Sequence, residues 1–236
     1  MNELITDTKG DTFNFQGIKN GMAKTIPISF SVATYGFLFG VLAGQAGLSI
    51  LESAMMSSFV FAGASQLVVL DLWVNPLPLI PIILTTLVIN LRHILMGASL
   101  YKMLSRLSPL KAYVSVFFIV DESWAITMAN IESKDFKDSF LMGSGILLFI
   151  TWLGSTIAGI STGKLLPEPE KWGLDFAFIA VFIALLAGLY KSKKDIPIWL
   201  CAGIVSIVVS LLFPGKWYIL AGGISGGLLG VIKNGD

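Results

Sequence analysis

An all-α, polytopic membrane protein is the fold class this sequence predicts, and three observations predict it. Hydrophobic residues make up 55% of the 236 positions and charged residues only 13%, whereas soluble domains carry about 25% charged residues. Mean hydropathy is +0.80, and the apolar residues gather into runs near the ~20 residues a spanning helix needs. The connections between runs are too short to hold an aqueous domain.

Residues 1–24 read as a polar tail (Asn2, Asp7, Asp11, Asn14, Gln16, Asn20), without the short apolar core and small-residue cleavage site of a signal peptide. Residues 25–236 read as a single transmembrane domain of eight candidate segments: A, Ile26–Ala46; B, Ile50–Trp73; C, Leu77–Leu100; D, Ala112–Ala129; E, Phe140–Leu165; F, Leu174–Tyr190; G, Ile196–Phe213; and H, Trp217–Ile232. Prolines punctuate them: Pro27 opens A, Pro76 and Pro78 precede the body of C, and Pro109, Pro167, Pro169, Pro197 and Pro214 mark other edges. Trp73, Trp172, Trp199, Trp217 and Tyr218 stand near segment ends, where amphipathic rings favour the interface. Gly36, Gly40 and Gly44 on A, and Gly222, Gly226 and Gly230 on H, form ridges that let helix backbones approach closely.

Basic residues bear on orientation. If all eight segments cross from a cytoplasmic amino terminus, Lys102, Arg106, Lys111, Lys164, Lys171 and Lys216 fall outside, a poor fit to the positive-inside rule. If B and F enter and leave on one side, only Lys134, Lys137 and Lys216 remain outside. The expectation is six to eight transmembrane or re-entrant helices. A–C and E–G are then a candidate inverted repeat with broken helices around a midplane site.

The net charge of +1 gives no footprint for nucleic acid, and one histidine with one cysteine excludes a His- or Cys-rich metal site. No cofactor motif is present; a P-loop pattern in particular is missing. Cys201 reads as a packing residue.

Polar groups inside apolar runs are therefore the functional candidates. In B, Phe61-Ala62-Gly63-Ala64-Ser65-Gln66 is a place for a helix to unwind; Gly63, Ala64, Ser65 and Gln66 would offer backbone N–H groups and a dipole end to an anionic group. Close packing of a small-residue face is the competing reading. In C, Thr86, Asn90, His93 and Gly97 share one face, His93 can carry a proton near neutrality, and Arg92 needs a carboxylate partner or water. In D, Asp121 and Glu122 point about 100° apart, so one can pair with Arg92 while the other titrates as a coupling group. Asp175, opening F, is either a helix cap or a further proton or substrate group.

Phe61–Gln66, Thr85–His93 (TTLVINLRH), Gly97-Ala98-Ser99-Leu100, Asp121-Glu122 and Leu174–Phe178 (LDFAF) together resemble the AzlC family, the large subunits of bacterial branched-chain amino acid exporters named for azaleucine resistance. The opening glycines Gly17 and Gly21, with Pro27, Phe39-Gly40 and the Gly47-Leu48-Ser49 turn, share in the likeness, which runs from about Gly17 to Ile232. The resemblance implies proton-driven export of leucine, isoleucine and valine, with methionine a further candidate, across the bacterial inner membrane. It also implies a small hydrophobic partner subunit of the AzlD type.

A small zwitterion with an aliphatic side chain needs an anion site, an ammonium acceptor and an apolar pocket. Ser65 and the break at Gly63 suit the carboxylate, Asn90 with a carboxylate of D suits the ammonium, and Phe61, Met96 and Phe176 suit the pocket. Two other readings compete: a carrier of another small metabolite, in either direction, and, remotely, an intramembrane aspartyl protease using Asp121 and Asp175. The glycine and tyrosine that such proteases place before their aspartates are absent.

Overall fold

The computed structural model describes residues 13–163, 183, 187, 190, 192–213 and 217–234. Most of segment F, Asp175 and Phe176 included, lies outside them. The described residues are all-helical: α1 (Phe15–Gln45), α2 (Ile50–Phe59), α3 (Gly63–Asp71), α4 (Leu79–Ser99), α5 (Tyr101–Leu104), α6 (Pro109–Phe117), α7 (Asp121–Asn130), α8 (Phe140–Gly163), α9 (Asp195–Leu212) and α10 (Trp217–Asn234). By length and hydropathy, α1, α4, α8 and α9 can each cross a membrane. The chain divides into two compact units, 1–63 with 91–166, and 64–90 with 167–236.

The first unit is organised by α1 and α8. Helix α1 starts at Phe15, within the stretch read as a polar tail. Asn14 accepts the Gly17 N–H at 2.9 Å, capping the helix, and exchanges hydrogen bonds with Ser139. Residues 15–24 are helical because Gly17 and Gly21 pack onto the start of α8; a polar composition does not preclude that contact.

The two helices run parallel. Gly21 meets Phe140 and Ser144, Gly36 meets Trp152 and Ser155, and Gly40 meets Thr156 and Ile160. The glycines are needed on both sides. A β-carbon at Gly21 or Gly40 would lie 2.1 Å from a carbonyl oxygen of α8, and one at Gly143 or Gly159 would lie as close to a carbonyl of α1. Thr25 donates to Ser144 at 2.8 Å within the same seam. Parallel pairing is a correction to the inverted-repeat expectation. A two-fold axis in the membrane plane relating A–C to E–G would set A and E antiparallel.

Segment D is not one helix. It breaks at 118–120 into α6 and α7, each about 14–15 Å long at 1.5 Å per residue, half a bilayer core. Both ends of the pair lie on one side. Lys111, near the start of α6, sits over the Phe13 ring ahead of α1 at 5.0 Å. Arg106 pairs with buried Asp138, which leads into α8, at 2.5 Å. The tip at Phe118 rests on Gly145, in the second turn of α8. Segment D therefore enters and returns. Lys134 and Lys137 consequently share a side with Lys102, Arg106, Lys111 and the start of α1, and not the opposite side expected above.

Segment B also breaks, at 60–62, where Phe61 has φ +43°. After a turn at Gly47 (φ +88°), Ser49 and Glu52 form a reciprocal cap on α2, with Ser49 N–H to Glu52 Oε2 at 2.7 Å and Glu52 N–H to Ser49 Oγ at 3.2 Å. Helix α2 then runs antiparallel to α8, as Ser57 bonds Thr156 at 3.1 Å and Gly63 lies against Trp152. Met96, Leu100, Met103, Ile119 and Leu141 form an apolar core beside these elements.

In the second unit, α9 and α10 form an antiparallel hairpin. Gly222 faces Ser206 and Ala202, Gly226 faces Ala202, and Gly230 faces Ile198, so the glycine ridge expected on H is the contact face. Val88 of α4 packs near Gly223 of α10.

Candidate functional site

Two sets of polar side chains sit at the two helix breaks. Helix α3 begins at Gly63, and Ser65 and Gln66 in its first turn, both in the second unit, are fully buried. The early N–H groups of a helix have no intrahelical acceptors. Asn90 of α4 donates to Ser65 Oγ over a long 3.4 Å. The unwinding expected within Phe61–Gln66 is present, and it leaves Gly63, Ala64, Ser65 and Gln66 as the opening turn of a helix.

In the first unit, Asp121 and Glu122 are the first two residues of α7, immediately after the second break. A helix start favours negative charge, through its unpaired N–H groups and its dipole. Arg92 Nη1 lies 2.8 Å from Asp121 Oδ2, with side-chain exposures of 34% and 45%. Exposure of both charged groups points to water and not to lipid, where charge is costly. Glu122 is half-buried and directed elsewhere, as the 100° rotation requires. His93 follows Arg92 on α4 and is half-buried. The buried Arg92 Nε has no hydrogen-bond partner. Around Asp121, then, stand Arg92, Glu122 and, next to Arg92, His93; α8, packed on α7, carries no ionisable side chain.

Ser123 holds the second break in shape. Its hydroxyl accepts the Val120 N–H at 2.9 Å and donates to the Phe118 carbonyl at 2.7 Å. Trp124 Nε1 donates to Ser99 Oγ at 2.7 Å, tying α7 to the end of α4.

The apolar candidates divide. Phe61 is buried and meets Phe149 edge-on at 5.1 Å and Phe117 in a stack at 6.0 Å. Met96 belongs to the Leu100–Leu141 core. Asp175 and Phe176 lie outside the described residues, and with Asp175 goes one half of the aspartate pair of the protease reading; the other, Asp121, pairs with Arg92. Sequence reasoning missed Phe117, Phe118, Phe149, Ser123 and Trp152. A Phe-Phe doublet three residues before Asp121 was the available signal for the first two. Trp152 is buried, stacked on Phe39 at 5.8 Å, and its indole N–H has no acceptor. Nothing local in the sequence marks it.

Comparison with known proteins adds a family. The family profile described as AzlC protein matches residues 27–166. An uncharacterized membrane protein of Archaeoglobus fulgidus is 28% identical over 89% of this chain and 93% of its own length. The inner membrane protein YgaZ of Escherichia coli is 28% identical over 90% and 89%. The branched-chain amino acid transport protein AzlC of Bacillus subtilis is 27% identical over 83% and 77%. No solved structure matches the chain significantly.

Proposed function

This chain belongs to the AzlC family of membrane proteins, and we propose that it is the large subunit of a two-component secondary transporter that exports branched-chain amino acids in exchange for protons. The observation that carries this reading is the Arg92–Asp121 pair beside Glu122 at the helix break of 118–120, with another break at 60–62. Broken helices with ionisable groups at their ends are how secondary carriers bind charged solutes and coupling ions. The substrate class comes from the Bacillus subtilis relative, whose name states branched-chain amino acid transport.

In this reading the opening turn of α3 (Gly63, Ala64, Ser65, Gln66) with Asn90 receives the substrate carboxylate. Phe61, Met96 and Phe176 are the candidates for contact with the aliphatic side chain. Asp121, Glu122, His93 and Asp175 are the candidates for proton coupling, and Arg92 holds one carboxylate in place. The chain does no covalent chemistry and needs no cofactor. Its side bearing Lys102, Arg106, Lys111, Lys134 and Lys137 is cytoplasmic by the positive-inside rule. In a two-membrane bacterium its place is the inner membrane, as the name of the Escherichia coli relative supports. An AzlD-type small hydrophobic subunit completes the exporter.

Reconstitution tests this directly. Proteoliposomes holding the chain and its small partner should release leucine faster with an imposed pH gradient than without one. Counterflow against a panel of amino acids and other small metabolites defines the substrate. Movement of some other metabolite, with no branched-chain amino acid moved, would replace the assignment.

A further inference from the structure

We infer that the four rings of Phe61, Phe117, Phe118 and Phe149 are positioning residues that couple the two helix breaks, so that occupancy at the first break shifts the carboxylates at the second. This inference deepens the transport reading and rests on it. Phe61 stands two residues before α3, and Phe118 stands three residues before Asp121. The two tips reach the same stretch of α8 from opposite ends: α2 descends along it past Thr156, and α6 rises from the side of Phe13. They meet through the rings. Phe61 contacts Phe117 and Phe149; Phe118 contacts Phe117 at 5.2 Å and Phe149 at 6.2 Å, both edge-on; and Phe117 lies 5.9 Å from Phe149.

The first tip holds a phenylalanine in an unusual backbone conformation. Phe61 has φ +43°, a region that glycine enters freely and a phenylalanine enters only against steric resistance. Gly145 leaves the space for Phe118; a β-carbon there would lie 2.2 Å from Phe118 Cβ. Close-packed rings switch between discrete arrangements and do not deform smoothly, so a shift of one tip is passed to the other. The charges that respond are Asp121 and Glu122, with Arg92 of α4 paired to Asp121 and His93 next to Arg92 in the chain.

The test compares leucine counterflow with the proton-to-leucine ratio, in proteoliposomes containing both subunits. Phe117→Ala and Phe149→Ala should keep counterflow within about twofold of wild type while the ratio falls at least fivefold. Phe117→Leu and Phe149→Leu, which keep apolar volume, should restore the ratio and serve where an alanine variant does not insert. Alanine variants with the wild-type ratio, or leucine variants as uncoupled as the alanine ones, would overturn the coupling role and leave the transport reading standing. A wild-type protein that moves no amino acid would overturn the transport reading, and this inference with it.

Discussion

Arg92 and Arg106 each hold an aspartate, and burial separates their consequences. Asp121 is 45% exposed on its side chain while Asp138 is 1% exposed. Breaking a buried pair by removing one partner costs about 3–5 kcal/mol, whereas exposed pairs contribute about 0–1 kcal/mol. Arg106→Ala should therefore lower the melting temperature clearly more than Arg92→Ala, as read by thermal unfolding in detergent. Equal losses would show that Asp121 is as dry as Asp138. The functional ranking should be the reverse. Asp121→Asn and Glu122→Gln should leave insertion and counterflow intact, and at least one should abolish pH-driven leucine efflux. Full gradient-driven export by both would make these carboxylates structural.

The α1–α8 seam is a contact of backbone on backbone. Lipid offers no hydrophobic drive between helices, so close approach and van der Waals packing carry the association. A β-carbon at Gly40 would meet the Thr156 carbonyl oxygen at 2.1 Å, and neither backbone can step aside without separating the helices. Overpacking of this kind costs about 1–3 kcal/mol. Gly40→Ala should thus reduce the folded yield and the melting temperature, while Gly154→Ala, with nothing within 4 Å, should be neutral. A stable Gly40→Ala protein would mean that α1 and α8 are less tightly joined. The same logic explains why α6 ends and α7 begins where they do. Gly145 accepts the Phe118 tip, and Ser123 closes the turn behind it.

For the molecule in its membrane, the re-entrant path of segment D sets the distribution of charge. Lys102, Arg106, Lys111, Lys134 and Lys137 lie on the side where α1 and α8 begin. Single cysteines at Lys102 and at Lys134, introduced after Cys201→Ala, should both react with an impermeant thiol reagent applied from the cytoplasmic face. Labelling of the two from opposite faces would restore a crossing segment D.

Class and the limits of segments C and G were readable along the chain, because apolar runs and proline edges are local signals. Segment C ran Leu77–Leu100 against the observed Leu79–Ser99, and G ran Ile196–Phe213 against Asp195–Leu212. A D-segment carboxylate was one of two partners open to Arg92, water being the other, and the fold pairs it with Asp121. What needed the folded chain was direction and depth. A break of two or three residues hardly alters mean hydropathy, so segment D looked like one spanning helix. Whether A and E run parallel depends on how many intervening segments cross, and a run of apolar residues records its length without recording whether it returns. The ring cluster stayed hidden for the same reason: its four phenylalanines are ordinary apolar residues until the two tips bring them together against α8.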